Sequence, residues 1–126
     1  MELRAALDAH LIRLGAISAI CLGIAAWRVR GLEGWARGYA VMTIGWCLVN
    51  LGIVGFSFLS TSLPAHPEFV WFLELNLGLN VLYIGIGLAL RRFGKTPFTV
   101  GMGDAVATQG LILLVLDGWL WREVTG

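Results

Sequence analysis

The chain has 126 residues, one domain's worth, of which 58% are hydrophobic and 13% charged, with a formal net charge of +1. Soluble domains carry about 25% charge, and a chain this short has too little interior to hide so much apolar surface from water. With a mean hydropathy of +0.81 and no basic surplus for a polyanion, the composition excludes a soluble enzyme, a disordered tail and a nucleic-acid binder, and points to a polytopic membrane protein.

A helix crosses the hydrocarbon core in roughly 20 residues, and four apolar segments reach or approach that length. The first, about residues 11–29, contains Arg13 near its start, where a long side chain can snorkel outward. A cleavable signal peptide is the competing reading of this segment. Against it, Glu2 and Asp8 dilute the positive region, and Trp27-Arg28-Val29-Arg30 makes a stop-transfer flank. The second segment, about 38–60, has no formal charge. The third, 69–90, contains Glu74, and the fourth, 98–121, contains Asp104 and Asp117. The expectation is an all-α four-transmembrane-helix bundle forming a single integral membrane domain.

Charge between the spans sets orientation. Arg28, Arg30, Arg37, Arg91, Arg92 and Lys95 lie between spans one and two or three and four, against Arg4, Arg13 and Arg122 towards the termini. Both termini are therefore expected outside, with the six cations cytoplasmic. Asp104 falls at the depth of Arg28, Arg91 and Arg92, which favours a structural ion pair over a proton relay.

The chain also reads as a tandem duplication of a two-helix hairpin, a parallel pseudo-two-fold repeat. A shift of 63 brings Leu14-Gly15 onto Leu77-Gly78, Arg28 onto Arg91 and Gly31 onto Gly94. A shift of 65 brings Gly38, Ala40, Val41, Thr43 and Gly45 onto Gly103, Ala105, Val106, Thr108 and Gly110. Chance recurrence of small residues is the competing explanation. At 100° per residue, Gly38, Gly45 and Gly52 form one seam, and Gly103, Gly110 and Asp117 the equivalent one, so Asp117 takes the place of Gly52. In span three, Glu74, Gly78 and Gly85 lie nearly opposite Asn76, Asn80 and Tyr83. A second subunit is expected on one of these faces, the glycine face being better suited to close approach.

The residues that report on function are those that are costly to place in lipid. Arg13, Asn50, Glu74, Asn76, Asn80, Gln109 and Asp117 fall at mid-depth or in the outer half. One or two amides serve as interhelical glue, for about 1 kcal/mol each. Four amides and three charges exceed that need, and these seven are the expected ligand-binding residues of a polar cavity. An unpaired intramembrane charge demands a partner, so Arg13 is expected to pair with Glu74 or Asp117. His10, Glu74 and Asp117 are able to meet at the outer face, but no reaction is named by them. Neither histidine has a partner at metal-ligand spacing, and Cys21 and Cys47 lack a CxxC context. No catalytic residue, metal or cofactor is expected.

Three stretches carry a resemblance: Gly45-Trp46-Cys47-Leu48-Val49-Asn50 through Phe56, Leu75-Asn76-Leu77-Gly78-Leu79-Asn80 through Ile84, and Gln109-Gly110 through Asp117. Together they resemble an uncharacterised family of small bacterial four-span membrane proteins bearing a domain-of-unknown-function label. The sequence departs from that pattern at Cys47 and Asn80, where Asn and Asp are expected. The resemblance implies a bacterial inner-membrane setting and no activity. Small multidrug exporters fit poorly, since span one lacks a carboxylate, and so do dual-topology fluoride channels, since the loop charge is asymmetric.

The expected function is a small-solute or lipid binding or permeation bundle with a polar cavity in its outer half. The alternative is a non-catalytic accessory or assembly subunit of a larger membrane complex. A membrane enzyme acting on a lipid or quinone ranks third. Expected partners are membrane lipids and a homo-oligomer or larger complex, with no nucleic acid.

Overall fold

A computed structural model of the chain describes residues 2–59 and 65–126. Met1 and residues 60–64 lie outside the described residues, among them the last residue of the second expected span and Pro64 of the outer loop. The described chain is four α-helices: α1 (Leu3–Arg28), α2 (Gly34–Leu59), α3 (His66–Phe93) and α4 (Pro97–Thr125), with a 3-10 turn at Val29–Gly31. All four are long and apolar enough to cross a membrane. At 26 to 29 residues and 1.5 Å per residue, each is about 40 Å long.

The helices overrun the expected spans, most at the start of α1. Hydropathy marks where a helix is apolar, not where it begins. Leu3, Ala5, Ala6, Leu7 and Ala9 are strong helix formers, and the helix carries on through Arg4 and Asp8. α4 begins on an N-cap, where the Thr96 hydroxyl accepts from the Thr99 amide at 3.2 Å, and Pro97 occupies the first turn. Where the chain enters α2 from the 3-10 turn, its first residue, Gly34, stands at φ +57°, a conformation natural to glycine.

α4 is the central helix. It packs along α3 on one side and α2 on the other, while α1 covers α2 and part of α4. The chain goes back and forth, so α2 and α4 run parallel. At one end of the bundle, here the basic end, stand Arg28, Arg30, Arg37, Arg91, Arg92 and Lys95. Asp104 holds the α3–α4 corner there by an ion pair with Arg91, as the charges predict, and it accepts from Trp35 Nε1 at 2.7 Å. The opposite, terminal end holds the chain termini, and His66 Nε2 donates to the Val124 carbonyl at 2.8 Å.

Glycine sets how closely α4 approaches its neighbours. The α2–α4 crossing is reciprocal: a Cβ on Gly38 would collide with the Phe98 carbonyl, and one on Gly101 with the Trp35 carbonyl. On the other side, Gly103 lies against Gly87 and Leu90, and Gly110 against the Asn80 carbonyl and Ile84. The expected α4 seam therefore faces α3. The expected α2 seam does not close: Gly45 and Gly52 are exposed, with nothing within 4 Å of the Cβ they lack. Glycines seven apart share a helix face, but the rotation of α2 turns that face outward and leaves only its first member in a crossing.

α1 and α3 start 63 residues apart, as do α2 and α4, an interval that sets Asp117 against Val54 in sequence and not against Gly52.

Most of the buried apolar residues fall in two clusters, both in the terminal half; Ala25, Ala40, Cys47, Ala105 and Val106 are buried outside them. Ala6, Phe69, Leu73, Leu120 and Val124 join α1, α3 and α4. Leu11, Leu14, Val54, Leu113 and Leu116 join α1, α2 and α4. The outside of the bundle is apolar too, with Ile12, Ile20, Leu48, Ile53, Phe56, Leu75, Val81, Leu111 and Val115 exposed.

Candidate functional site

Two polar residues, one buried and one part-buried, fall in sequence between the two apolar clusters: His10, flanked on α1 by Ala6 and Leu11, and Asp117, flanked on α4 by Leu116 and Leu120. They meet. His10 Nε2 stands 3.3 Å from Asp117 Oδ1, and the other carboxylate oxygen accepts from Asn80 Nδ2 at 2.7 Å. Three helices thus converge on one carboxylate.

The Asn80 contact follows from helix direction. The contacts of Gly103 and Gly110 set the α3–α4 register so that Asp117 is level with Leu75, about 7 Å along the axis from Asn80. Every Cα–Cβ bond leans towards its own helix N-terminus. α3 and α4 are antiparallel, so Asn80 leans towards the terminal end and Asp117 towards the basic end, and the two side chains close the gap.

Arg13 lies one turn along α1 from His10. Its guanidinium sits 3.6 Å above the Trp119 ring and donates to Glu123 Oε1 at 3.1 Å. The expected pairing of Arg13 with Glu74 or Asp117 is not found. Arg13 leans along its helix towards the terminal end, and its reach carries it past Asp117 to the last turns of α4. Glu74 instead accepts from Trp121 Nε1 at 3.2 Å, on the exposed side of α3.

Of the seven residues expected to line a cavity, the structure brings Asn80 and Asp117 together and places Arg13 beside them. Asn76 turns back to donate to the Phe72 carbonyl of its own helix at 3.1 Å. Asn50 and Gln109 are buried, and neither they nor Asn80 is more than 5% exposed. These three amides are packed in this conformation. The discrepancy comes from depth: equal height in a membrane does not bring residues together unless their helices also turn them inward.

Sequence reasoning missed Glu123 and left His10 without a role. For Glu123 a signal exists. Leu113, Leu116, Leu120 and Val124 continue the buried stripe at helical spacing, which extends α4 beyond residue 121 and carries Glu123 with it. Both residues leave polar atoms buried and unpartnered: Nδ1 of His10 and Oε2 of Glu123.

Residues 13–118 match the profile of a family of unknown function, DUF6992. The chain belongs to that family. No curated protein and no solved structure matches it. In this DUF6992 member the matched segment starts at Arg13 and includes Asn80 and Asp117, while His10 and Glu123 lie outside it.

Proposed function

We propose that the protein is a multi-pass bacterial inner-membrane protein whose outer half binds a small polar solute or a lipid headgroup, in a site built on His10, Asp117, Asn80, Arg13 and Glu123. One observation carries this reading: four ionisable side chains and an amide gather beside apolar clusters, where packing alone would favour aliphatic residues. On the neighbouring side of α4, Ile17 packs against an all-apolar cluster of α1, α2 and α4 that includes Val54 and Leu116. The bundle can therefore be packed at this level without polar groups. Buried charges of this kind are costly and mark functional sites in membranes. Because the amides are packed in the described conformation, binding requires the helices to part around Asp117.

The expected loss is specific. Native mass spectrometry from nanodiscs, with solute uptake into proteoliposomes, should detect a retained lipid or a transported polar solute that Asp117→Leu abolishes. A wild-type protein that retains nothing and moves nothing would overturn the reading.

The membrane setting is supported by the length and apolar character of the four helices and by their exposed aliphatic faces. The six clustered cations support a cytoplasmic basic end and outside termini. Reporter fusions should be active in the cytoplasm at Lys95 and only outside at Gly126; the reverse pattern would invert the orientation.

A second reading, an accessory subunit of a larger complex, is favoured by α3. Glu74, Gly78 and Gly85 are exposed, with nothing within 4 Å of either glycine, while Asn80 and Gly87 face the bundle. On this reading Gly78→Leu disrupts an oligomer without unfolding the monomer. Cross-linking in native membranes should give less oligomer for Gly78→Leu than for wild type, and equal yields would remove this face from the interface.

A further inference from the structure

We propose that the His10–Asp117 pair is a proton-binding site, taking up one proton per chain and thereby converting a buried cluster of net charge −1 into a neutral one. It deepens the reading above by naming a ligand of the same site, and it holds or fails independently of any solute.

The inference starts from the charges that face His10. From α1 comes Arg13, and from α4 come Asp117 and Glu123. α3 contributes the Asn80 amide and no charge, because Glu74 turns outward to Trp121. α2, which packs on α1 and α4, has no ionisable residue between Leu48 and Leu59. Arg13 and Glu123 neutralise one another. Asp117 has no cation of its own unless His10 is protonated. With His10 neutral, the cluster keeps one uncompensated carboxylate, with Asn80 as the donor to one of its oxygens. Buried carboxylates in a low dielectric are tolerated when paired, and the missing charge is one proton.

Geometry supplies the place for it. Neutral His10 with its proton on Nε2 donates to Asp117 Oδ1 across 3.3 Å. That leaves a lone pair on Nδ1, which is buried and has no hydrogen-bond partner, in a side chain only 8% exposed. A proton from hydronium adds to that lone pair and releases water. No bond in the protein breaks, and the product is an imidazolium facing a carboxylate. Glu123 Oε2, also buried and unpartnered, lies on the terminal side of the cluster. It offers an acceptor between solvent at that end and the ring.

The test is 15N NMR of histidine-labelled protein in nanodiscs, in a His66→Gln background so that only His10 reports. As the pH falls from about 8 to about 5, the His10 ring is expected to pass from neutral to doubly protonated. Asp117→Asn should lower its proton affinity at least tenfold, and exchanging sodium for a bulky organic cation should leave the midpoint in place. A ring that stays neutral throughout, or a midpoint unchanged in folded Asp117→Asn, would overturn the proposal; a midpoint that follows sodium would replace the proton with a metal cation. Should Asp117→Asn fail to fold, His10→Gln decides by infrared spectroscopy. Having lost its cationic partner, Asp117 should then show a protonated carboxyl stretch at higher pH than in wild type, and an unchanged onset would refute the pairing. A protein that takes up its proton but binds no solute fails only the earlier reading.

Discussion

Gly101→Ala is expected to destabilise the bundle by about 3 kcal/mol, the upper range for forcing extra volume into a packed interior. The added methyl would collide with the backbone carbonyl of Trp35, and a carbonyl within a helix cannot move aside as a side-chain tip can. The only relief is to separate α2 from α4, which would disturb the Trp35–Asp104 hydrogen bond and the basic corner it belongs to. Gly38→Ala should behave alike, since it meets the Phe98 carbonyl in the reciprocal contact. Gly45→Ala and Gly52→Ala are the controls. Both positions are open, so alanine's better helix propensity should leave stability unchanged or raise it by up to about 1 kcal/mol. Unfolding in mixed micelles measures all four. Wild-type stability in Gly101→Ala would mean that the α2–α4 crossing is elsewhere.

Asp117→Ala should cost about 1–3 kcal/mol, the range for leaving buried hydrogen-bonding groups without their partner. The loss leaves the Asn80 amide without its acceptor and His10 Nε2 without its carboxylate. Asp117→Asn should lose less, because it preserves the volume and can still accept from Asn80. The pairing pattern itself is read from double-mutant cycles. Arg13→Gln and Glu123→Gln are expected to couple by about 1 kcal/mol, and Arg13→Gln and Asp117→Asn to be additive within about 0.5 kcal/mol. Strong coupling of Arg13 with Asp117 instead would restore the sequence-based pairing and contradict the observed one.

Much of the architecture is legible in the sequence because it depends on one-dimensional quantities. The length of an apolar run and the charges that bound it determine how many helices form, and the alternation of basic and non-basic connections determines which ends lie together. The Arg91–Asp104 ion pair follows from the same kind of reasoning, since two opposite charges a few residues either side of a short turn have nowhere else to go. The seam of Gly103 and Gly110 was readable too, because helix periodicity groups residues on one face.

Periodicity does not say which face meets which neighbour. Each helix can rotate about its own axis, and the packing of all four chooses the rotation. That choice turned Gly45 and Gly52 outward and buried Asn50 and Gln109. It also left Glu74 on the exposed side of α3. Side-chain direction was the second quantity beyond reach. Arg13 passes Asp117 for Glu123, and Asn80 reaches a carboxylate more than one turn away, because side chains lean towards the N-termini of helices whose relative heights only the glycine contacts set. The sequence by itself determined that the chain forms four apolar helices with a basic end and too many polar groups in one half; the tertiary structure decided that His10 and Asn80 alone of those groups meet Asp117, because only close packing specifies rotation and height together.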